Sequence, residues 1–279
     1  MKMMRNVFIL LFTVLSVTTA TAQKKDKIKG SKTIAVTQRK LDEFNSIEVE
    51  DNIEVFLVKG NEQKFEIEAD DNLHESITAE VHGGNLRITT NKKITRAKKI
   101  SVRITYNDAL KNIVAKHETT LNALKPLELD SISIKNLNYS KSFLNIKVRS
   151  FKLEMDDKAE GEINVEASKT EIILSKNAEL EALLAVPDVK IDMYQRATAT
   201  IEGDAAAAQI RLDNNAELFA KKFTVKNMQL LAEGYSKNQV KVSEKLSFSA
   251  NGKSETVLHD MPKIEISVFA DNAVLKKED

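Results

Sequence analysis

Five cations crowd one short stretch, Lys92, Lys93, Arg96, Lys98 and Lys99, between two segments that alternate like strands. Charge at that density can hold an anionic glycan or a lipid headgroup by electrostatic attraction alone. The same side chains would serve equally as a solvated loop or as guards of a strand edge, discouraging other chains from pairing there. The acidic counterparts are Asp70-Asp71-Asn72 and Asp156-Asp157. Calcium takes about six to eight oxygen ligands at a set loop spacing. Neither stretch has that spacing, so Asx turns closing strand ends account for both. His74, His82, His117 and His259 share no spacing, and only His74 and His82, flanking one strand, stand near each other in the chain.

The rest of the inventory narrows the chemistry further. Cysteine is absent, which removes a thiol nucleophile, a disulfide framework and a lipidated N-terminal Cys. There is no phosphate-cradling glycine loop and no HExxH helix, so no cofactor and no metal are expected. Enzymes that cleave polysaccharides set two carboxylates about a sugar and usually stack that sugar on aromatic rings. This chain has no Trp and four Tyr, Tyr106, Tyr139, Tyr194 and Tyr235. Its acidic residues alternate along strands as they do on solvated faces. The expectation is a non-catalytic binding or adhesion module whose partner is a glycan or an envelope or surface protein. The alternatives are a carbohydrate-active enzyme on the same scaffold, and an envelope scaffold that meets only other proteins.

Such residues need elements to carry them, and the elements repeat. Asp156-Asp157-Lys158-Ala159, Ser175-Lys176-Asn177-Ala178, Tyr194-Gln195-Arg196-Ala197 and Asp213-Asn214-Asn215-Ala216 place Ala at steps of 19, and Ala270-Asp271-Asn272-Ala273 returns later. Leu153, Ile172, Ile191, Ile210, Leu230, Phe248 and Ile266 keep steps of 18 to 20. A period this short marks stacked units that touch only their neighbours. The expected fold is therefore all-β, a right-handed parallel β-helix-like solenoid with coils of about 19–20 residues. Ile113 and Ile132, also 19 apart, suggest that the period begins earlier. Asn tolerates the left-handed backbone of a tight corner, so Asn177, Asn215 and Asn272 are candidates for the corners and for a ladder of amides. The Ala that follows would point into a narrow interior. Ala205-Ala206-Ala207-Ala208 reads as a coil corner wanting small side chains, because four alanines fall short of a stable helix. Pro126, Pro187 and Pro262 each stand at a strand entrance.

Upstream, Ile47-Glu48-Val49, Ile53-Glu54-Val55-Phe56-Leu57, Phe65-Glu66-Ile67 and Leu86-Arg87-Ile88 alternate with period two, separated by Lys59-Gly60-Asn61, Asp70-Asp71-Asn72 and Gly83-Gly84-Asn85. The solenoid is expected over 33–279, as one unit or as two at about 33–150 and 151–279. Residues 33–50 and the last strand would cover its ends. Residues 23–32 are polar and lysine-rich and read as a flexible tether. Residues 1–22 combine Lys2 and Arg5, the apolar run Val7–Leu15 and Ala20-Thr21-Ala22, the pattern of a secretory signal peptide. Without Lys2 and Arg5 the chain carries 40 basic and 41 acidic side chains. That balance gives no reason to expect nucleic acid. No later stretch has the roughly 18–20 apolar residues of a membrane span. The expected location is the periplasm, the outer cell surface or the medium.

The stretch Arg39-Lys40-Leu41-Asp42-Glu43-Phe44-Asn45-Ser46-Ile47-Glu48-Val49, with Asn52-Ile53-Glu54-Val55, Ile67-Glu68-Ala69-Asp70-Asp71-Asn72-Leu73 and Val81-His82-Gly83-Gly84-Asn85-Leu86-Arg87-Ile88, resembles the putative auto-transporter adhesin, head GIN domain family. The resemblance implies an exported protein of Bacteroidetes type, a right-handed parallel β-helix-like coil and no catalytic residue. The chain departs from it in holding only 8 Gly, which leaves Asn and Asp to make many corners. Intact-mass measurement of the exported protein is expected to place its first residue near Gln23.

Overall fold

In an alternating strand every second side chain faces one side, and two consecutive outward residues therefore mark a bend. The stretch from Lys141 to Met155 shows this. Ser142, Leu144, Ile146 and Val148 are buried, the next two residues are not, and Phe151, Leu153 and Met155 are buried in the opposite phase. One coil is thus a longer first face, a bend, a shorter second face, and then the turn Asp156-Asp157-Lys158 that starts the next coil.

The structure, a computed structural model, describes residues 25–278. The leader expected at 1–22, the first residues of the tether and Asp279 lie outside them. The early strands are β1 (Lys27–Lys29), β2 (Ile34–Lys40), β3 (Ser46–Val49), β4 (Glu54–Lys59), β5 (Lys64–Asp70), β6 (Ile77–His82), β7 (Asn85–Thr90), β8 (Lys93–Thr95), β9 (Ile100–Tyr106) and β10 (Asn112–Ala115). The coils proper follow as β11 (Thr120–Asn136), β12 (Lys141–Met155), β13 (Glu160–Leu174), β14 (Glu179–Met193), β15 (Thr198–Leu212), β16 (Glu217–Ala232) and β17 (Lys237–Ala250). They end with β18 (Glu255–His259), β19 (Lys263–Phe269) and β20 (Val274–Lys277). Together they make a parallel β-solenoid of about nine turns.

The repeating apolar positions lie one above another. Leu153, Ile172, Ile191, Ile210, Leu230, Phe248 and Ile266 are consecutive register partners. The column continues the other way through Ile134, Ile113, Ile47 and Leu86. Ile113 pairs with Ile134 and not with Ile132, because the coil between them holds a bulge from Ala123 to Leu127 that contains Pro126. Pro187 falls between the paired Val186 and Asp188 at the bend, where its missing N–H breaks no ladder bond. Ala205 to Ala208 occupy the same bend one coil on.

The corners differ from the expected amide ladder. The left-handed residue is the second of each phrase: Asp157, Lys176, Gln195, Asn214 and Asp271, with Gly234 and Gly252 between the last two. Its carbonyl lies along the stack and accepts the N–H of the third residue of the next coil: Asn177 donates to Asp157, Arg196 to Lys176 and Asn215 to Gln195, each at 2.7–2.8 Å. The ladder is made of backbone, which explains why Asn, Lys, Gln and Gly are interchangeable there. Asn177 and Asn215 stand two coils apart with Arg196 between them, so their amides cannot meet. A side-chain amide rung forms elsewhere, from Asn164 to Asn145 at 2.8 Å. The residue after the corner points inward as expected, and Thr119, Ser140, Ala159, Ala178, Ala197, Ala216, Ser236 and Ser254 are all buried.

The base of the stack is out of chain order. β3 and β4 pair upward with β10 and β11, and downward with β7 and β9. The lowest coil is therefore later in sequence than the one above it. Antiparallel strands flank it: β6 on β7, joined through Gly83 and Gly84, and β5 on β9 with β2 outside β5. With the 3₁₀ turn Asp71–Ser76 they bury Phe65, Ile67, Leu73 and Ile77. The covering element is thus β2, β5 and β6, whereas Ser46–Val49, expected within the cap, is a rung of the stack. At the other end β19 and β20 pair with β17 and β18 on one side, and Ile264, Ile266 and Phe269 are exposed.

Two substitutions test this packing. Ile191→Ala empties a fully buried column position and is expected to cost about 2–5 kcal/mol. Gln195→Gly relieves a left-handed side chain and is expected to raise stability by up to about 1 kcal/mol, after Gly's own entropic cost. Shifts of the urea midpoint in opposite directions check both.

Candidate binding surface

The bend between the two faces is where the outer surface turns concave. Its floor is set by alanine. Ala207 and Ala208 stand in register with Asp188 and Val189 below and with Asn227 and Met228 above. Short side chains there leave a groove of about 590 Å³ lined by Lys169, Asp188, Lys190, Gln209, Asn227, Gln229, Lys245 and Ser247. A neighbouring depression of about 500 Å³ shares Lys190, Gln209, Gln229 and Ser247 and ends at Tyr194 and Arg211. The alanine corner is visible in the sequence but the hollow is not, because it requires the larger neighbours on the adjoining coils to be in register.

Two of the groove's lysines, Lys190 and Lys245, are held by partners, whereas Lys169 and Asp188 form no ion pair among the described residues. Lys190 Nζ sits 2.8 Å from Asp192, and that hydrogen bond raises the lysine's pKa. Lys245 and Lys263 both reach Glu265 and hold its carboxyl at about 2. Arg211 lies over the Tyr194 ring, 5.7 Å from its centre, and pairs with Glu233 at 3.1 Å. Amide and hydroxyl groups remain to donate and accept, the set that suits a hydroxyl-rich ligand. The carboxyls whose pKa is displaced, Glu50, Asp51, Asp70, Asp130, Glu154, Asp156 and Glu265, are all displaced downward. A glycosidase needs one carboxyl displaced upward to serve as the acid. No group of His, Asp and Glu able to hold a metal forms among the described residues.

The cationic stretch found in the sequence lies at the base. Lys93 is in β8, Arg96 adopts a left-handed backbone, and Lys92 and Lys98 are exposed. Lys99 pairs with Glu68 at 2.6 Å. The first strand of the described chain joins them. β1 runs parallel to β8, with Lys27 opposite Lys93 and Lys29 opposite Thr95. Residues 25–32, expected as a flexible tether, hold the strand β1 and are tied at Lys32 to Asp70. Its buried carboxylate accepts N–H bonds from Lys32 at 2.8 Å, from Lys98 at 2.9 Å and from Lys99 at 3.2 Å. Burial alone would push this carboxyl up, but the three N–H groups and the nearby Lys32 charge hold it below its ordinary value. Gly30 is required beside it, since a Cβ there would collide with Asp70 Oδ2. Asn72 adds bonds to Ser31 N–H and Lys29 C=O. The available sequence signal was the alternation Lys27-Ile28-Lys29, whose single apolar residue is half-buried against the core.

The other candidates stay apart. His74 bonds Thr37 at 2.8 Å, His82 pairs with exposed Glu80, His117 lies near Asp51, and His259 is separate on β18. Asp156 and Asp157 are bridged by Lys176 from the next coil. Among the described residues no helix is long and apolar enough to cross a membrane.

A stacked parallel coil with broad outer faces and a polar hollow defines a β-solenoid. The chain belongs to the putative auto-transporter adhesin, head GIN domain family, whose profile matches residues 43–262. Three solved structures share the fold. A putative adhesin of Parabacteroides merdae is 18% identical, with a TM-score of 0.64 over 91% of this chain and 100% of its own. A putative adhesin of Parabacteroides distasonis is 19% identical, with a TM-score of 0.65 over 90% and 100%. A protein of the same organism described as a putative lipid binding protein is 13% identical, with a TM-score of 0.64 over 91% and 100%. No curated protein matches.

The Asp70 clasp predicts a pH dependence with a definite sign. A carboxyl depressed in the folded state contributes stability that is full above its unfolded pKa of about 3.9 and lost as pH falls through the folded value. Amide-exchange protection at Lys32, Lys98 and Lys99 should hold from neutral pH down to about 4 and fall below it. In Asp70→Asn it should already be lost at pH 7.

Proposed function

We propose that this protein is an exported, non-catalytic binding module of the bacterial cell envelope that holds a glycan along the groove floored by Ala207 and Ala208. The groove carries the reading. It crosses several coils, so its length suits a chain-like ligand, and its lining offers amides, hydroxyls and lysines. Family membership supports the adhesin-like class, and the two Parabacteroides structures described as putative adhesins share the fold. The leader pattern at 1–22 supports export. Against the enzyme alternative stand the downward-displaced carboxyls and the lack of Trp. Envelope polysaccharide is the partner that this chemistry fits, at the outer surface or in the periplasm.

Binding to an array of neutral and acidic polysaccharides at low salt tests the proposal. At least one class should bind. The double variant Gln209→Ala, Gln229→Ala should weaken it about tenfold or more, equivalent to about 1.4 kcal/mol, with unchanged thermal stability. An array with nothing above background would refute it.

A further inference from the structure

The groove leaves the cationic base unused. β1 and β8 bring together two lysine-rich segments about 65 residues apart in the chain, by the pairing of Lys27 with Lys93. Two of the cations there are neutralised, Lys25 by Asp51 at 2.7 Å and Lys99 by Glu68 at 2.6 Å, and Lys32 lies in the field of Asp70. Lys27, Lys29, Lys92, Lys93, Arg96 and Lys98 form no ion pair among the described residues and are all exposed. On the coils many cations are matched to carboxylates one coil away, as in Lys141–Glu160, Lys147–Glu166 and Arg149–Asp130, and unpaired ones such as Lys125, Lys169 and Arg196 are spread over separate coils. Six unneutralised cations gathered on two adjacent segments, β1 and the stretch around β8, call for an anionic counterpart from outside.

We propose that this base is a docking surface for anionic lipid headgroups, orienting the solenoid with its β1–β8 end against a membrane. The proposal rests on the exported, envelope-associated reading above but not on the groove. Two observations favour lipid over a discrete ligand or a soluble polyanion. Five of the six free cations are Lys, a flexible point charge suited to a diffuse charged surface and less to bidentate capture. Aliphatic side chains border them. Ile34 and Val36 are 38% and 59% exposed on β2, and Val36 stands opposite Glu68, the partner of Lys99. Exposed aliphatics beside lysines fit the boundary between headgroup and acyl chain; a polysaccharide has no use for them.

Co-sedimentation with vesicles tests this on the purified protein, with variants sharing the same N-terminus so that any contribution of residues outside the described region cancels. Vesicles of phosphatidylcholine with phosphatidylglycerol should bind the protein, and pure phosphatidylcholine should not. Lys27→Glu, Lys29→Glu, Lys92→Glu and Lys93→Glu together should weaken binding by about a hundredfold or more, each cation near an anionic surface being worth about a factor of five. The same four positions changed to Gln should give a smaller loss in the same direction, which keeps the test valid if reversal disturbs β1. Ile34→Ser with Val36→Ser should weaken vesicle binding severalfold without changing its salt dependence. Equal binding to both vesicle types, or an unaffected lysine variant, overturns the proposal. So does binding to heparin with none to vesicles, which would assign the base to a soluble polyanion. The glycan array reads the groove separately, so either reading can fail alone.

Discussion

Every coil depends on the backbone bond that crosses its corner. A parallel sheet needs each strand to pass to the next in register, and here the passage is a three-residue turn whose left-handed residue directs its carbonyl along the stack. That bond lets the ladder continue around the corner without a break. It fixes the coil at 19 residues wherever nothing is inserted, which brings Leu153, Ile172, Ile191 and Ile210 onto one line. The buried small residue after the corner follows from the same geometry, because two faces meeting at a tight turn leave no room for a longer side chain.

The solenoid was legible from the sequence wherever the period was strict. From Met155 onward the spacing of alanines and of inward aliphatics predicts the coil, the inward Ala and the bend at 205–208, and the structure has them. Which corner residue turns left-handed was not legible. The requirement falls on a carbonyl, and Asp157, Lys176, Gln195 and Asn214 leave no common side-chain mark. The base was hidden for a different reason. Alternation identified β3, β4, β5 and β7 as strands, but period-two patterns do not say which neighbour a strand takes. The insertion of β3 and β4 between the later β7–β9 coil and β10–β11 has no signature in composition.

The two candidate surfaces differ in the same way. The five cations from Lys92 to Lys99 were visible as a run, yet their meaning changed when β1 added Lys27 and Lys29 beside them and Asp70 consumed only backbone N–H groups from Lys32, Lys98 and Lys99. The groove had no run to announce it. It arises from short residues on one coil set between longer ones on its neighbours, a property of the register. Both surfaces belong to the stack and to no single coil.

The inverted base also sets an order of assembly. A chain emerging N-terminus first makes β3 and β4 before the strands that lie beneath and above them exist, so these two wait with both edges open. Pairing β4 with β9 and β3 with β10 closes loops of about 40 to 65 residues, a large loss of chain freedom set against the few hydrogen bonds that form first. Once that knot of early strands is set, each later coil adds to a finished template by short-range steps. The slow event in folding should therefore lie in the first 120 residues, and damage there should stall the molecule, while damage to β15 or β16 should only loosen it.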